Sequence, residues 1–242
     1  MTSPERDPDS PNGPAHLQHP RFARAYARAV EGMDGRGAAA HRRELLQRLS
    51  GSVVEIGAGN GANFAHYPST VTSVLAIEPD DHLRPLAQQQ AQVAPVPVRV
   101  VTGTAETIPA PDASADAVVV SLVLCSVPDQ AAALAEGRRV LKSGGILAFY
   151  EHVRSNSAVL AAAQDLLTPL WQRAAGGCHP NRDTLRAITE AGFEVQDNRR
   201  FDFSVQPLVP ATAHILGHAV SPGAGSRTDS TGDPSLRIDK RA

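Results

Sequence analysis

The chain predicts an α/β fold built on a doubly wound, mostly parallel sheet of seven strands, and three observations carry that reading. Short apolar runs alternate with helical stretches from Val53 onward. A turn holding Gly57, Gly59 and Gly61 directly follows the first run, and carboxylates recur at or just beyond the ends of successive runs. Parallel neighbours need crossover connections, so the alternation places helices on both faces of the sheet.

The elements follow in order. Arg21 to Glu31 and Ala38 to Leu49 read as two helices, because Phe22, Tyr26 and Val30, then Leu45, Leu46 and Leu49, recur at helical spacing. These helices either pack on the core or cover a cleft. The first strand is Val53–Ile56, with a helix over Ala62–His66; a strand at Val71–Ile77, a helix at His82–Gln92 and strands at Val96–Val101 and Ala117–Ser121 come next. A helix at Gln130–Leu141, a strand at Ile146–Tyr150 and helical stretches at Ala158–Gln172 and Arg182–Ala191 then precede strands at Glu194–Phe203 and Ala213–Ala219, which close the sheet as an antiparallel pair. Residues 1–19 and 221–242 combine Pro, Gly, Ser, Asp and Arg with few large apolar side chains. Neither stretch can bury enough surface to offset its ordering entropy, so both read as disordered tails around one domain over 20–220.

Composition narrows the function. A chain of 242 residues that is 42% hydrophobic suits one α/β domain with a sizeable core. Its net charge of −2 gives no basic field for nucleic acid or an anionic membrane, so a small-molecule partner is expected. Met1 to Pro20 lacks the apolar core of a signal peptide and no apolar run is long enough to span a bilayer, which predicts a cytoplasmic protein without stable membrane insertion. Cys125 and Cys178 form no C-x-x-C pair and are too few for a disulfide framework, so both are expected reduced.

The glycine turn carries the chemistry. Gly57, Gly59 and Ala62 formally satisfy the dinucleotide fingerprint, yet Glu55 just ahead of them would repel a pyrophosphate. A carboxylate there suits S-adenosylmethionine (SAM), which carries a sulfonium and an ammonium and no phosphate. Glu78, at the end of the second strand, can accept both ribose hydroxyls; beyond the third strand, Ala105 and Glu106 stand where the exocyclic amine of adenine could donate. Glu55, Glu78, Glu106, Ser121 and Glu151 all fall at the carboxyl ends of strands, where ligands of open α/β sheets bind.

With these residues in register, the chain resembles the class I SAM-dependent methyltransferases, within the broad group that includes the ubiquinone and menaquinone methyltransferases. Ser121-Leu122-Val123-Leu124-Cys125-Ser126-Val127, Glu151-His152-Val153, and Gly177-Cys178 followed by Asn181-Arg182-Asp183 look like the methyltransferase-like 7 family, known as alkyl thiol methyltransferases. The resemblance covers Gly51 to Val220 and implies a Rossmann-like fold, SAM as cofactor and a small-molecule methyl acceptor, with a thiol preferred. It assigns Glu55, Gly57, Gly59 and Gly61 to the methionine portion, Glu78 to ribose, Ala105 and Glu106 to adenine, and Ser121 and Leu122 to the surroundings of the transferring methyl. The sequence departs from the animal members in lacking their N-terminal apolar anchoring segment, and it lacks the pattern after the fourth strand associated with quinone methyltransferases.

His152, after the fifth strand at the same edge, is the candidate base for a thiol acceptor, since an imidazole titrates in the useful range; a purely structural ring is the alternative. Cys125 reads as a small buried hydrophobe. Spacing neither supports nor excludes convergence of Cys125, Cys178, His152 and His179 on a soft metal, and no metal is assigned. Trp171, Leu166, Leu167 and Leu170 form either a substrate wall or an ordinary amphipathic face, His214 and His218 read as closing-strand surface, and Arg138 and Arg139 as a solvated helix face. Three other functions compete: an O-, N- or C-methyltransferase, an NAD-dependent oxidoreductase, and a non-catalytic SAM-binding protein. The oxidoreductase is disfavoured by Glu55 and by the lack of a Tyr-x-x-x-Lys pair.

Overall fold

The structure, a computed structural model, describes residues 12–204 and 211–222. Helices α1 (Pro20–Met33) and α2 (Ala39–Leu46) precede β1 (Gly51–Ile56), β2 (Val71–Ile77), α3 (Leu83–Ala91), β3 (Val98–Val101), β4 (Ala115–Ser121), α4 (Gln130–Val140) and β5 (Leu141–His152). Helices α5 (Ala158–Ala174) and α6 (Thr184–Glu190) and strands β6 (Glu194–Phe203) and β7 (Thr212–Val220) follow. The sheet order is β3-β2-β1-β4-β5-β7-β6, with β1 to β5 mutually parallel and β7 antiparallel to both neighbours. Strand order reverses between β1 and β4, and the crevice at that reversal is where ligands of doubly wound sheets lie.

Period-two alternation distributes the core over two faces. Val54, Ile56, Val118, Val120, Leu147, Phe149 and Ile215 pack with Leu134 of α4 and Ile188 of α6 on one side. Val53, Val74, Val119, Ala148, Tyr150 and Leu216 pack with Leu45 and Leu46 of α2 and Ala87 of α3 on the other. Short helices are fixed at their starts by side-chain caps: Asp129 accepts from Ala132 N at 3.0 Å and Asp183 from Arg186 N at 3.2 Å. No helix among the described residues is long and apolar enough to cross a membrane.

Several expectations need correction. Ala62–His66 is no α-helix, only turns and a 3-10 turn at Phe64–His66, because the Asn63 side chain is used in bonds to Glu55 and Arg42 and Pro68 follows. The N-terminal helices are joined by a wide turn at 34–38 in which Gly37 adopts φ 123°. Residues 12–19, expected in a disordered tail, are tied to the loop after β2. Gly13 N donates to Asp81 Oδ1 at 2.9 Å, Gln18 Nε2 to Pro79 O at 2.9 Å, and Asp81 N to Gln18 Oε1 at 3.0 Å. Polar bonds rather than apolar burial hold this segment, so composition carried no sign of it. The rest of the expected tails, 1–11 and 223–242, lies outside the described residues. His214 and His218 are buried, since β7 is flanked by β5 and β6 and covered by α2. His218 bridges Asp197 Oδ1 at 3.0 Å and Leu45 O at 2.9 Å; burial pushes His214 down to about 2.

Candidate active site

A cavity of about 390 Å³ opens at the carboxyl ends of β1, β2 and β4, walled by Gly57, Gly59, Glu78, Ala105, Glu106, Ser121 and Leu122. Its glycine turn cannot take side chains. Gly57 has φ 65°, and a Cβ there would sit 2.6 Å from Val123 Cγ2; Gly59 has φ 60° and lies against the Tyr26 ring. Gly61 does not line the cavity: its φ of 83° and the close approach of Phe64 and Gln90 give it a role in shaping the turn.

Glu78 is buried at the end of β2 and held from both sides, its Oε2 accepting Gly59 N at 2.6 Å and its Oε1 accepting Asp80 N at 2.8 Å. Burial pushes it up to about 7, against those two hydrogen bonds. Each oxygen keeps a lone pair for a ligand hydroxyl. Among the described residues, Glu106 Oε1 and Ser121 Oγ are buried without a partner. A glycine cradle, a fixed acceptor and two orphaned polar atoms along one wall fit an adenosyl ligand that carries ribose and amine donors.

Glu55 departs from the expected contact. Strand alternation places it with Val53 on the α2 face, where Oε1 accepts Asn63 Nδ2 at 2.9 Å and Oε2 accepts Tyr67 OH at 2.6 Å. Asn63 Oδ1 in turn accepts from Arg42 at 3.1 Å. Burial pushes Glu55 up to about 7, opposed by the two hydrogen bonds and by Arg42. It underpins the turn and is absent from the cavity wall.

Glu151 organises the opposite wall, a role the sequence reading did not assign. Its carboxylate accepts the backbone N–H groups of Val123 and Leu124 at 2.9 Å and of Cys125 at 3.0 Å, so the loop after β4 is wrapped around one buried acid. Burial pushes Glu151 up to about 7 against these bonds. The same loop starts at Leu122 with φ 61°, a left-handed conformation that costs a leucine roughly 1–2 kcal/mol. An acid immediately after an apolar strand was the available signal, but its partners come from another loop.

His152 does face the cavity, at the end of β5. Its Nδ1 lies 3.5 Å from Cys178 Sγ and 3.8 Å from Cys125 Sγ, while the ring packs on His214 with centroids 4.3 Å apart. Burial pulls His152 down, but the Cys178 contact and charge outweigh it and hold the imidazole above its usual range. Cys125, beside the Cys178 sulfur and buried, is pushed well up; Cys178, next to Cys125 and hydrogen-bonding with His152, is held well below the usual thiol range. His179 stays outside this group, its N–H donating to Cys125 O at 2.7 Å.

Helix α1 covers the cleft through Phe22, Tyr26 and Met33, whereas α2 packs on the core through Leu45 and Leu46, so the two N-terminal helices take one alternative each. Of the α5 residues, Trp171 reaches the cavity, whereas Leu166, Leu167 and Leu170 are exposed and match neither expectation. Leu17 and His19 also line it, brought there by the hydrogen bonds of residues 12–19.

The sequence pattern of the methyltransferase domain family matches residues 54–149, from β1 to β5. Thiol S-methyltransferase TMT1B of Homo sapiens is 34% identical over 194 residues, which cover 74% of this chain and 78% of that protein. Thiol S-methyltransferase TMT1A of Homo sapiens is 35% identical over 196 residues, covering 75% and 79%. In fold, the chain matches a SAM-dependent methyltransferase from Thermotoga maritima with a TM-score of 0.62 at 22% identity, over 83% of this chain and 96% of that one. Kinship with methyltransferases over three quarters of the chain makes SAM the methyl donor, and the NAD-dependent and non-catalytic readings fall away. A cavity at the β1/β4 reversal, together with relatives alike over three quarters of the sequence, makes this chain a member of the class I SAM-dependent methyltransferases, in the methyltransferase-like 7 family.

Proposed function

We propose that the protein methylates the sulfur of a small-molecule thiol. The observation that carries this reading is the identity, over about three quarters of the chain, to proteins named thiol S-methyltransferases. Trp171, Phe22, Val127 and Met33 give the cavity an apolar lining that suits a lipophilic acceptor. In this reading Gly57 and Gly59 admit the methionine portion, with Glu55 and Gly61 shaping their turn from behind. Glu78 accepts from ribose, Ala105 and Glu106 flank adenine, and Ser121 and Leu122 border the methyl group.

SAM, when bound, would supply an electrophilic methyl, with the donor sulfur leaving as a neutral thioether opposite the incoming nucleophile. The chain's own task is to align the acceptor and exclude water, and alignment of well-oriented groups can supply about 7–11 kcal/mol. We assign activation of the acceptor thiol to His152, which faces the cavity beside Cys125 and Cys178. We place the enzyme in the cytoplasm, a setting in keeping with two cysteines that are both unpaired, and without a nucleic-acid partner, in keeping with a net charge of −2.

Labelled SAM offered with thiols, phenols, amines and quinols tests the acceptor. Thiols should be methylated, faster as pH rises toward the thiol pKa, and His152→Ala should slow transfer by roughly 100-fold. A variant with full activity would return His152 to a structural role.

A further inference from the structure

Three side chains from three separate segments meet on the acceptor wall: Cys125 from the loop after β4, His152 from the end of β5 and Cys178 from the loop after α5. Their ligand atoms all lie within 4.8 Å of one another, and all three residues are buried. Because the segments are distant in sequence, no short-range spacing announces the cluster.

From this juxtaposition we propose that Cys125, His152 and Cys178 form a three-ligand site for a soft divalent cation of the zinc class, with the fourth position open to the methyl-acceptor cavity. Tetrahedral zinc with Zn–S near 2.3 Å and Zn–N near 2.0–2.1 Å separates sulfur from nitrogen by about 3.6 Å. The two sulfur to Nδ1 separations here are 3.5 Å and 3.8 Å, so both sulfur–nitrogen edges of the triad already match that geometry. Two thiolates and a neutral imidazole balance a divalent charge. That charge balance matters in a wall where Cys125 and Cys178 are 1% and 4% exposed. The two cysteines are also fixed by backbone bonds, with Cys125 N on Glu151 Oε2 at 3.0 Å, His179 N on Cys125 O at 2.7 Å and Cys178 N on Ala175 O at 3.1 Å. All three ligands line the cavity, as catalytic zinc sites do when three protein ligands leave a place for substrate.

The site deepens the thiol reading and rests on it. A thiol entering the fourth position gives its proton to solvent and binds as a thiolate, so His152 activates it as a ligand of the ion and not as the proton acceptor. Its sulfur lone pair then forms the bond to the methyl carbon as the methyl–sulfonium bond breaks, and that electron pair stays on the donor sulfur. The neutral thioether product is a poor ligand and leaves.

The test uses the full chain, reduced with a phosphine and stripped with a chelator, then titrated with Co²⁺. One equivalent should give tetrahedral visible bands and a near-ultraviolet thiolate-to-cobalt band, and Zn²⁺ should abolish both. Cys178→Ser and Cys125→Ser should each weaken binding by more than about 100-fold while retaining affinity for S-adenosylhomocysteine, the demethylated product, which shows that they fold. A linear alkanethiol added to the cobalt form should intensify the near-ultraviolet band. Absence of the bands in the wild-type chain, or bands unchanged in both cysteine variants, overturns the site. Full thiol methylation by the stripped protein overturns the open position. Cobalt bands that respond to alkanethiol, with no methyl transfer to any thiol, sustain the metal site and refute the thiol methyltransferase reading instead.

Discussion

Glu78→Gln is the perturbation that reads the cofactor wall most cleanly. The carboxylate is pinned by Gly59 N at 2.6 Å and Asp80 N at 2.8 Å, so its remaining lone pairs point from a fixed place. An amide replaces one of these acceptors with a donor facing a backbone N–H or a ribose hydroxyl. Losing charge-assisted hydrogen bonds of this kind costs about 1.5–3 kcal/mol, a roughly 10- to 150-fold rise in Kd. A second signature follows from protonation. Burial raises Glu78 from its usual 4.5 to about 7, and only the ionised form accepts from both hydroxyls, so affinity should fall as pH drops through that value. For one group of that pKa, binding weakens by about tenfold between pH 8 and pH 6, and the variant should lose this component. Calorimetry with S-adenosylhomocysteine at three pH values measures both effects without turnover. If Glu78→Gln matches the wild-type Kd at pH 8 and keeps the same pH slope, the ribose assignment is wrong.

Three further outcomes are expected. Glu55, raised by burial from 4.5 to about 7, binds more protons folded than unfolded. Its stabilising contribution is therefore complete below the unfolded value and lost as pH rises through about 7. Glu55→Gln should raise the thermal midpoint at pH 8 and flatten its change between about pH 5 and 8; circular-dichroism melts that parallel the wild type would rule this out. Gly57→Ala places a Cβ 2.6 Å from Val123 at φ 65° and should cost about 1–2 kcal/mol from backbone strain alone while abolishing binding of the demethylated product, so calorimetry showing intact affinity refutes the cradle. Glu151→Ala orphans three backbone N–H groups at roughly 1–3 kcal/mol each, and chemical denaturation should show a loss of about 3 kcal/mol or more.

The fold was legible because apolar periodicity is local. Val71–Ile77 was readable as a short, largely apolar run between turn residues, and the glycine turn marked the edge where the cavity opens. Glu78, Ala105, Glu106, Ser121 and Leu122 stand at strand ends, so knowing the strands was enough to bring them to one wall. Glu55 was harder, because its partners Asn63 and Tyr67 lie beyond the turn and draw its side chain to the α2 face. The Glu151 nest and the meeting of Cys125, His152 and Cys178 depend on loops brought together only by β4 and β5 pairing, and no short-range pattern encodes such a meeting. Residues 12–19 escaped notice for the opposite reason, as a polar segment held by a handful of hydrogen bonds looks like any tail.

Acceptor choice bears most directly on the account. Purified protein incubated with methyl-labelled SAM and a matched set of alkyl thiol, phenol, amine and quinol should yield labelled thioether, with the rate falling roughly 100-fold in His152→Ala. Label appearing only in phenol, amine or quinol products, with the thiol untouched, would contradict the thiol assignment and leave a methyltransferase of another acceptor.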